Sequence, residues 1–179
     1  MGLLAAIMLA VYLANPFGTA SLDPRARLLG VALYKIPSRS MEPTLQQGDF
    51  ILANAARYAC ADPQVGDLVV FRFPPQRSIA YVKRIAGIPG DRVRIDGGRL
   101  YVNERPVTEP YLAQQALRQP DSLRMAERTV PAGQYFMLGD NRDNSNDSRY
   151  WGYVPRADLV GRVFAVWYAE DTRRIGSVR

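Results

Sequence analysis

The sequence predicts a mainly β domain preceded by one apolar helix. Short runs rich in Val, Ile, Phe and Tyr recur along most of the chain, each bounded by Gly, Pro, Asn or Asp. The 13 prolines and 14 glycines are dispersed, as many short strands joined by turns require. Ahead of these runs, Met1 to Leu22 carries no charged side chain.

The apolar segment comes first. Leu3 to Leu13 is unbroken apolar sequence. A bilayer-spanning helix needs ~20 mostly apolar residues, a length reached here only if Asn15, Pro16 and Gly18 sit near the interface. Pro16 should end or kink the helix. Three readings compete: a single transmembrane anchor over residues 1–22, a cleavable signal peptide with Gly18-Thr19-Ala20 as its small-residue processing site, and an apolar helix in a soluble core. The missing basic n-region weighs against the second, and the anchor is favoured. Arg25, Arg27 and Lys35 follow the run while only the α-amine precedes it. That bias would leave the large domain in the cytoplasm, although long domains translocate largely regardless of charge.

Strand signals follow at Val31–Ile36, Asp49–Ala53, Leu68–Phe73, Ile79–Ile85, Arg92–Ile95, Leu100–Val102, Gln134–Leu138 and Arg162–Tyr168. Asp96-Gly97-Gly98 reads as a hairpin turn, and Gly66-Asp67 and Pro89-Gly90-Asp91 mark further turns. Helix signals are sparse: Tyr111–Arg118 reads as a short helix or a loop, and Pro155–Leu159 as a short helix with proline in its first turn. Pro106 to Arg128 is polar and irregular, a surface excursion.

Composition excludes whole mechanisms. The chain has no histidine, which rules out Ser-His-Asp and Cys-His catalysis and removes the commonest transition-metal ligand. Its single cysteine, Cys60, allows no intrachain disulfide and is expected to be a buried or neutral thiol. The net charge of +6 comes from scattered basic residues, which read as a solvated surface and not as a nucleic-acid patch. No metal site and no cofactor are expected.

A hydrolase without histidine must activate its nucleophile by another route, and a lysine serves if burial lowers its pKa. Only Lys35 and Lys83 are present, against 21 arginines. Lys83 sits in the apolar, strand-like run Ile79 to Ile88, where a desolvated amine and an edge-strand lysine reaching solvent are competing readings. Ser38 and Ser40 flank Arg39 between Pro37 and Pro43, whose rings restrict the backbone and can fix a hydroxyl in place. Ser40 also reads as the N-cap of a helical turn. The run from Gly139 to Pro155 is dense in Asn, Asp and Ser, as turn-building loops are, and does not follow the EF-hand spacing.

These segments, in this order, resemble the signature boxes of bacterial type I signal peptidases. Pro37-Ser38-Arg39-Ser40-Met41-Glu42-Pro43-Thr44-Leu45 with Gly48-Asp49 is similar to the nucleophile box, and Gly66 to Phe71 to a strand box. Tyr81-Val82-Lys83-Arg84 with Gly87-Ile88-Pro89-Gly90-Asp91 is similar to the lysine box. Gly139-Asp140-Asn141-Arg142-Asp143-Asn144-Ser145-Asn146-Asp147-Ser148-Arg149-Tyr150-Trp151-Gly152 matches the last box almost letter for letter.

The resemblance runs from about Ile36 to Val160 and implies a β-barrel or sandwich catalytic domain over residues 23–179, with a reduced subdomain roughly at 92–130. It implies Ser40 as nucleophile and Lys83 as general base. The Ser38 hydroxyl and the Ser40 backbone N–H would form the oxyanion hole. Ser145 would hold the lysine amine, and Asp147 and Arg149 would brace the loop as an ion pair. Shallow apolar pockets for small residues would lie near Ile36, Pro37, Met41, Leu45, Tyr81 and Val82, with the peptide added as an extended strand. The implied partners are signal peptides of preproteins and membrane lipids, with secretion machinery a further candidate. The implied location is the bacterial inner membrane, with the catalytic domain on the extracytoplasmic side. Arg39 departs from the small glycine often found between the two serines.

Three other readings remain open. A conjugative-transfer peptidase that processes a pilin shares the serine and lysine boxes. A self-cleaving repressor would need a DNA-binding helix-turn-helix where this chain has an apolar run. A non-catalytic, membrane-tethered binding module would have no need of both Ser40 and Lys83.

Overall fold

The computed structural model describes residues 2–112 and 117–178. Helix α1 (Gly2–Ala14) buries none of its residues, and it stops before Pro16, where Asn15 takes a left-handed φ of 46°. Its 13 residues make a rod ~20 Å long, against ~30 Å for a hydrocarbon core. Among the described residues no helix is long and apolar enough to cross a membrane.

The rest of segment 1–22 does not extend that helix, because the domain holds it. Thr19 Oγ1 donates to Val160 O at 2.8 Å, and Ala20 N donates to Leu159 O at 3.3 Å. A short helix that the sequence did not suggest, α2 (Pro24–Leu29), follows. Asp23 caps it by accepting from Arg25 N, and Gly30 ends it at φ 72°.

The remaining elements are β1 (Val31–Lys35), β2 (Phe50–Asn54), α3 (Arg57–Cys60), β3 (Leu68–Arg72), β4 (Ala80–Gly87), β5 (Arg92–Asp96), β6 (Arg99–Val102), β7 (Arg105–Pro106), α4 (Pro120–Leu123), β8 (Arg124–Thr129), β9 (Gln134–Leu138), α5 (Ser148–Trp151), β10 (Val154–Pro155), β11 (Leu159–Tyr168) and β12 (Gly176–Ser177). All eight expected strands form, within a few residues of their expected ends. The large sheet has the order β1-β2-β11-β3-β4-β9-β10, with β12 on β11, and every pairing is antiparallel. A second sheet, β7-β6-β5-β8, is built from the chain that follows β4. Its β5–β6 hairpin turns on Gly97 and Gly98, both at positive φ, the geometry a two-residue turn of this hand needs.

β3 shows how the period of two divides the interior. Leu68 and Val70 enter a core with Ile51, Val163 and Val166, whereas Val69 and Phe71 enter another with Ile85 and Met137. β9 does the same, sending Phe136 and Leu138 to the core beneath the small sheet and Tyr135 and Met137 to the other side.

Two expectations about secondary structure are corrected. The supposedly irregular stretch 106–128 contains α4 and most of β8, whose one buried side chain is Met125. β8 is polar elsewhere because pairing with β5 creates it, and that long-range partner leaves no local mark. Pro155–Leu159 is a single 3-10 turn at Arg156–Asp158 after a two-residue strand. In Tyr111–Arg118 a 3-10 turn covers Pro110–Leu112, and residues 113–116 lie outside the described residues. Of the expectation that Cys60 is a buried or neutral thiol, the buried half is corrected: it is an exposed, free cysteine at the end of a one-turn helix.

Candidate active site

After β1 the chain leaves the sheet and turns tightly. Glu42 N donates to Arg39 O at 3.2 Å, and Leu45 N donates to Met41 O at 2.9 Å. Ile36, Met41 and Leu45 bury their side chains in the core and pin this turn from below. Pro37, Ser38 and Arg39 stay exposed while Ser40 is buried. The Ser40 hydroxyl does not cap the turn; it points to the lysine strand.

Lys83 lies in the middle of β4, opposite Val69 of β3, with 3% of its surface exposed. Its Nζ is hydrogen-bonded to Ser40 Oγ at 2.5 Å. Burial lowers its pKa from the ordinary 10.5 to about 8; the Asp147 and Asp140 carboxylates oppose that fall and the Arg149 guanidinium adds to it. The desolvated-amine reading therefore prevails over the edge-strand one. Ser38 Oγ stands 3.3 Å from Ser40 Oγ. A neutral amine at this distance can take the hydroxyl proton and leave an alkoxide beside a second hydroxyl donor.

The loop after β9 supports this pair. Asp147 and Arg149, both fully enclosed, form a two-pronged ion pair at 2.8 and 3.0 Å. Asp147 also accepts from Gly139 N at 3.0 Å, and Arg149 donates to Ser122 Oγ of α4 and to the carbonyls of Arg142 and Asp121. The pair thus ties loop, strand end and α4 together. Ser145 Oγ is buried beside Gly139 and has no hydrogen-bond partner among the described residues, Lys83 included.

Arg84, Asp140, Thr44 and Gly139 belong to the site and were not singled out from the sequence. Arg84 grips Asp140 with two bonds at 2.7 and 2.9 Å, and Asp140 accepts from Thr44 Oγ1 at 2.5 Å. One carboxylate therefore joins the lysine strand to the serine turn. Gly139 is a contact point: a Cβ there would lie 2.1 Å from Ser145 Oγ and 2.5 Å from Ser40 O. Signals for all four were present as fixed letters of the boxes.

A groove of about 350 Å³ opens over Ser40 and Lys83. Ile36, Pro37, Met41, Tyr81 and Val82 line it as expected, joined by Tyr34, Val70, Ile79, Asn144 and Asn146. Leu45 does not line it. Its side chain points down from the turn into the core and has no exposed surface. β9 pairs with β4 only from Arg84 to Gly87, so among the described residues no strand covers the β4 edge from Ala80 to Lys83 on the side that faces the groove.

A mainly antiparallel β fold with a serine–lysine pair lining an open groove is the arrangement of a serine–lysine hydrolase. The family follows from comparison. A family model described as signal peptidase, peptidase S26, matches residues 3–168. The chain is 42% identical to a signal peptidase I of Pseudomonas aeruginosa, over 75% of this chain and 63% of that protein. It is 44% identical to a probable signal peptidase I-2 of Synechocystis, over 72% and 59%. A crystal structure of a signal peptidase I from Enterococcus faecalis superposes with a TM-score of 0.52 at 33% identity, covering 57% of this chain and 97% of that one. The chain belongs to the signal peptidase family. It spans about 60% of the length of the two relatives named here.

Proposed function

We propose that this protein is a membrane-bound serine endopeptidase that removes signal peptides from exported proteins by cutting after small residues. The contact between Lys83 Nζ and Ser40 Oγ, in a setting where the amine is almost fully withdrawn from water, carries the reading. The neutral amine of Lys83 takes the Ser40 proton as Oγ bonds to the scissile carbonyl carbon. The oxyanion so formed is held by the Ser40 backbone N–H and the Ser38 hydroxyl. Collapse breaks the C–N bond, and the Lys83 ammonium returns its proton to the departing amine of the mature chain. Water, deprotonated by the same lysine, then hydrolyses the Ser40 ester and releases the signal peptide. Ser145 steadies the amine when it becomes an ammonium and needs an acceptor, a role that its unused buried hydroxyl supports. The Asp147–Arg149 pair braces the loop beneath it.

The substrate adds as an extended strand against the free edge of β4, with small side chains in the shallow apolar lining of Ile36, Pro37, Met41, Tyr81 and Val82. Residues 1–22 are the anchor and 23–179 the catalytic domain, with the second sheet as its reduced subdomain at roughly 92–130. The exposure of Leu3, Leu4, Ile7, Leu9 and Leu13 supports lipid as the neighbour of that segment. The domain would stand on the extracytoplasmic side of the bacterial inner membrane. Self-cleavage after Ala20 would require the Thr19–Ala20 contacts with β11 to open first.

The deciding experiment gives detergent-solubilised wild type, Ser40→Ala and Lys83→Met a preprotein whose signal ends in Ala-x-Ala. Both variants are expected to stay folded and lose cleavage. Cleavage retained by Ser40→Ala would overturn the assignment.

A further inference from the structure

We propose that Arg174, near the C-terminus, is a positioning residue that holds the Ser40-bearing segment in register with Lys83; the catalytic part of this inference rests on the function proposed above. Arg174 lies beyond residues 3–168, the span the family model matches. It closes a 3-10 turn, Thr172–Arg174, that follows β11. Its guanidinium reaches across to the serine turn. Nη1 donates to Pro43 O at 3.2 Å, and Nη2 donates to Thr44 O at 3.1 Å and to Asp49 Oδ2 at 2.7 Å. Asp49 Oδ2 also accepts from Gln46 N at 2.8 Å. One planar fork thus engages both ends of Pro43–Asp49, a task for which a rigid guanidinium is suited.

The clamp is shielded and anchored. The side chains of Arg174 and Asp49 are 18% and 4% exposed, so solvent screens this pair less than an open surface pair. β12 pairs with β11, Val178 N donates to Phe164 O at 3.0 Å, and Val178 packs on the core that holds Ile36, Met41 and Leu45. The serine turn lies outside the sheet ladders; its buried Ile36, Met41 and Leu45 and the backbone bond from Asn141 N to Ser40 O at 3.1 Å hold its first half, and side-chain clamps add to them. Thr44 Oγ1 on Asp140 ties it to the lysine strand, and Arg174 ties it to the tail. Arg173 supplies the control: among the described residues its guanidinium meets only Asp171, and it is 88% exposed.

The test uses the full chain in detergent: wild type, Ser40→Ala, Arg174→Gln, Arg174→Lys and Arg173→Gln. Cleavage kinetics are measured on the preprotein with an Ala-x-Ala signal end, and amide hydrogen exchange is followed along the chain. Arg174→Gln should lower kcat about 10- to 100-fold with KM within about twofold, the pattern of a misplaced nucleophile. Amide exchange within Met41–Asp49 should rise about tenfold while that of β3 and β9 stays unchanged. Arg174→Lys, which keeps the charge and loses the fork, should fall between, and Arg173→Gln should match wild type. Unchanged exchange in 41–49, a rise spread over β3 and β9, or an unchanged kcat would each overturn the proposal. Failure of the catalytic reading looks different: Ser40→Ala would keep cleaving, while the exchange data would still decide whether Arg174 holds the turn.

Discussion

Replacing Lys83 by methionine should abolish cleavage and at the same time stabilise the protein at neutral pH. Met is close in length, apolar, and suited to an irregular buried slot. The lysine pKa falls from 10.5 to about 8 because folding removes the amine from water. At ~1.4 kcal/mol per pH unit, burying the charged form costs ~3 kcal/mol. The sign follows from linkage. Below about pH 8 the amine is charged in both states, and the folded state bears the full cost. Between about 8 and 10.5 the unfolded chain holds the proton and the folded chain does not, so wild-type stability rises with pH; above 10.5 the cost is gone.

Methionine never bears this cost but leaves Ser40 Oγ without its bond to Nζ, a loss of ~1 kcal/mol. The variant should therefore gain ~2 kcal/mol at pH 7, or ~4–8 °C in Tm for a chain of this size. The gain should shrink as pH approaches 10.5. Paired thermal melts of wild type and variant at pH 7, 8.5 and 10 read this difference directly and cancel other titrations. A variant no more stable than wild type at pH 7, or a gap that widens with pH, would refute burial as the cause of the lowered pKa.

Three further outcomes follow from the same geometry. Under the proposed mechanism only the neutral Lys83 amine accepts the serine proton, so cleavage should fall about tenfold per pH unit below about pH 8 and level off above it; a pH–rate profile of kcat/KM locates that limb. Gly139→Ala should displace Ser40 or Ser145 by crowding and lower kcat at least ~100-fold, with ~1–3 kcal/mol of destabilisation seen by denaturant titration. Asp147→Asn should leave the enclosed Arg149 guanidinium uncompensated and cost ~3–5 kcal/mol, which thermal unfolding measures; a loss below ~1 kcal/mol would mean that the pair braces nothing.

Much of this could be read along the chain. The eight strands announced themselves through β-branched and aromatic residues between turn formers, and their placement is a local matter. β8 was invisible because it buries one side chain and exists through its pairing with β5. The end of α1 was legible, since Pro16 was expected to end or kink the helix and it stops at Ala14; the tie of Thr19 to Val160 that holds the following residues on the domain was not. Leu45 was misplaced because an apolar residue beside a nucleophile reads equally as pocket wall or core, and only its orientation in the turn separates the two. Arg84 and Arg174 were not singled out because an arginine among 21 declares no partner; what distinguishes them is a carboxylate or carbonyl 56 to 130 positions away, and Asp140 is distinguished in turn by Arg84.

By itself the sequence determined the chemistry available: with no histidine and only two lysines, an activated serine would have to draw on Lys83 or Lys35, and the serines of Pro37–Pro43 are spaced to be held by rigid backbone. Tertiary structure decided whether either amine is withdrawn from water and set beside a serine. An amine loses its charge near neutrality only when other parts of the chain exclude water from it, and Lys83 is enclosed by segments up to 64 residues distant, those carrying Ser40 and Asp147 among them. Desolvation is a property of three-dimensional neighbours, and no spacing along the chain encodes it.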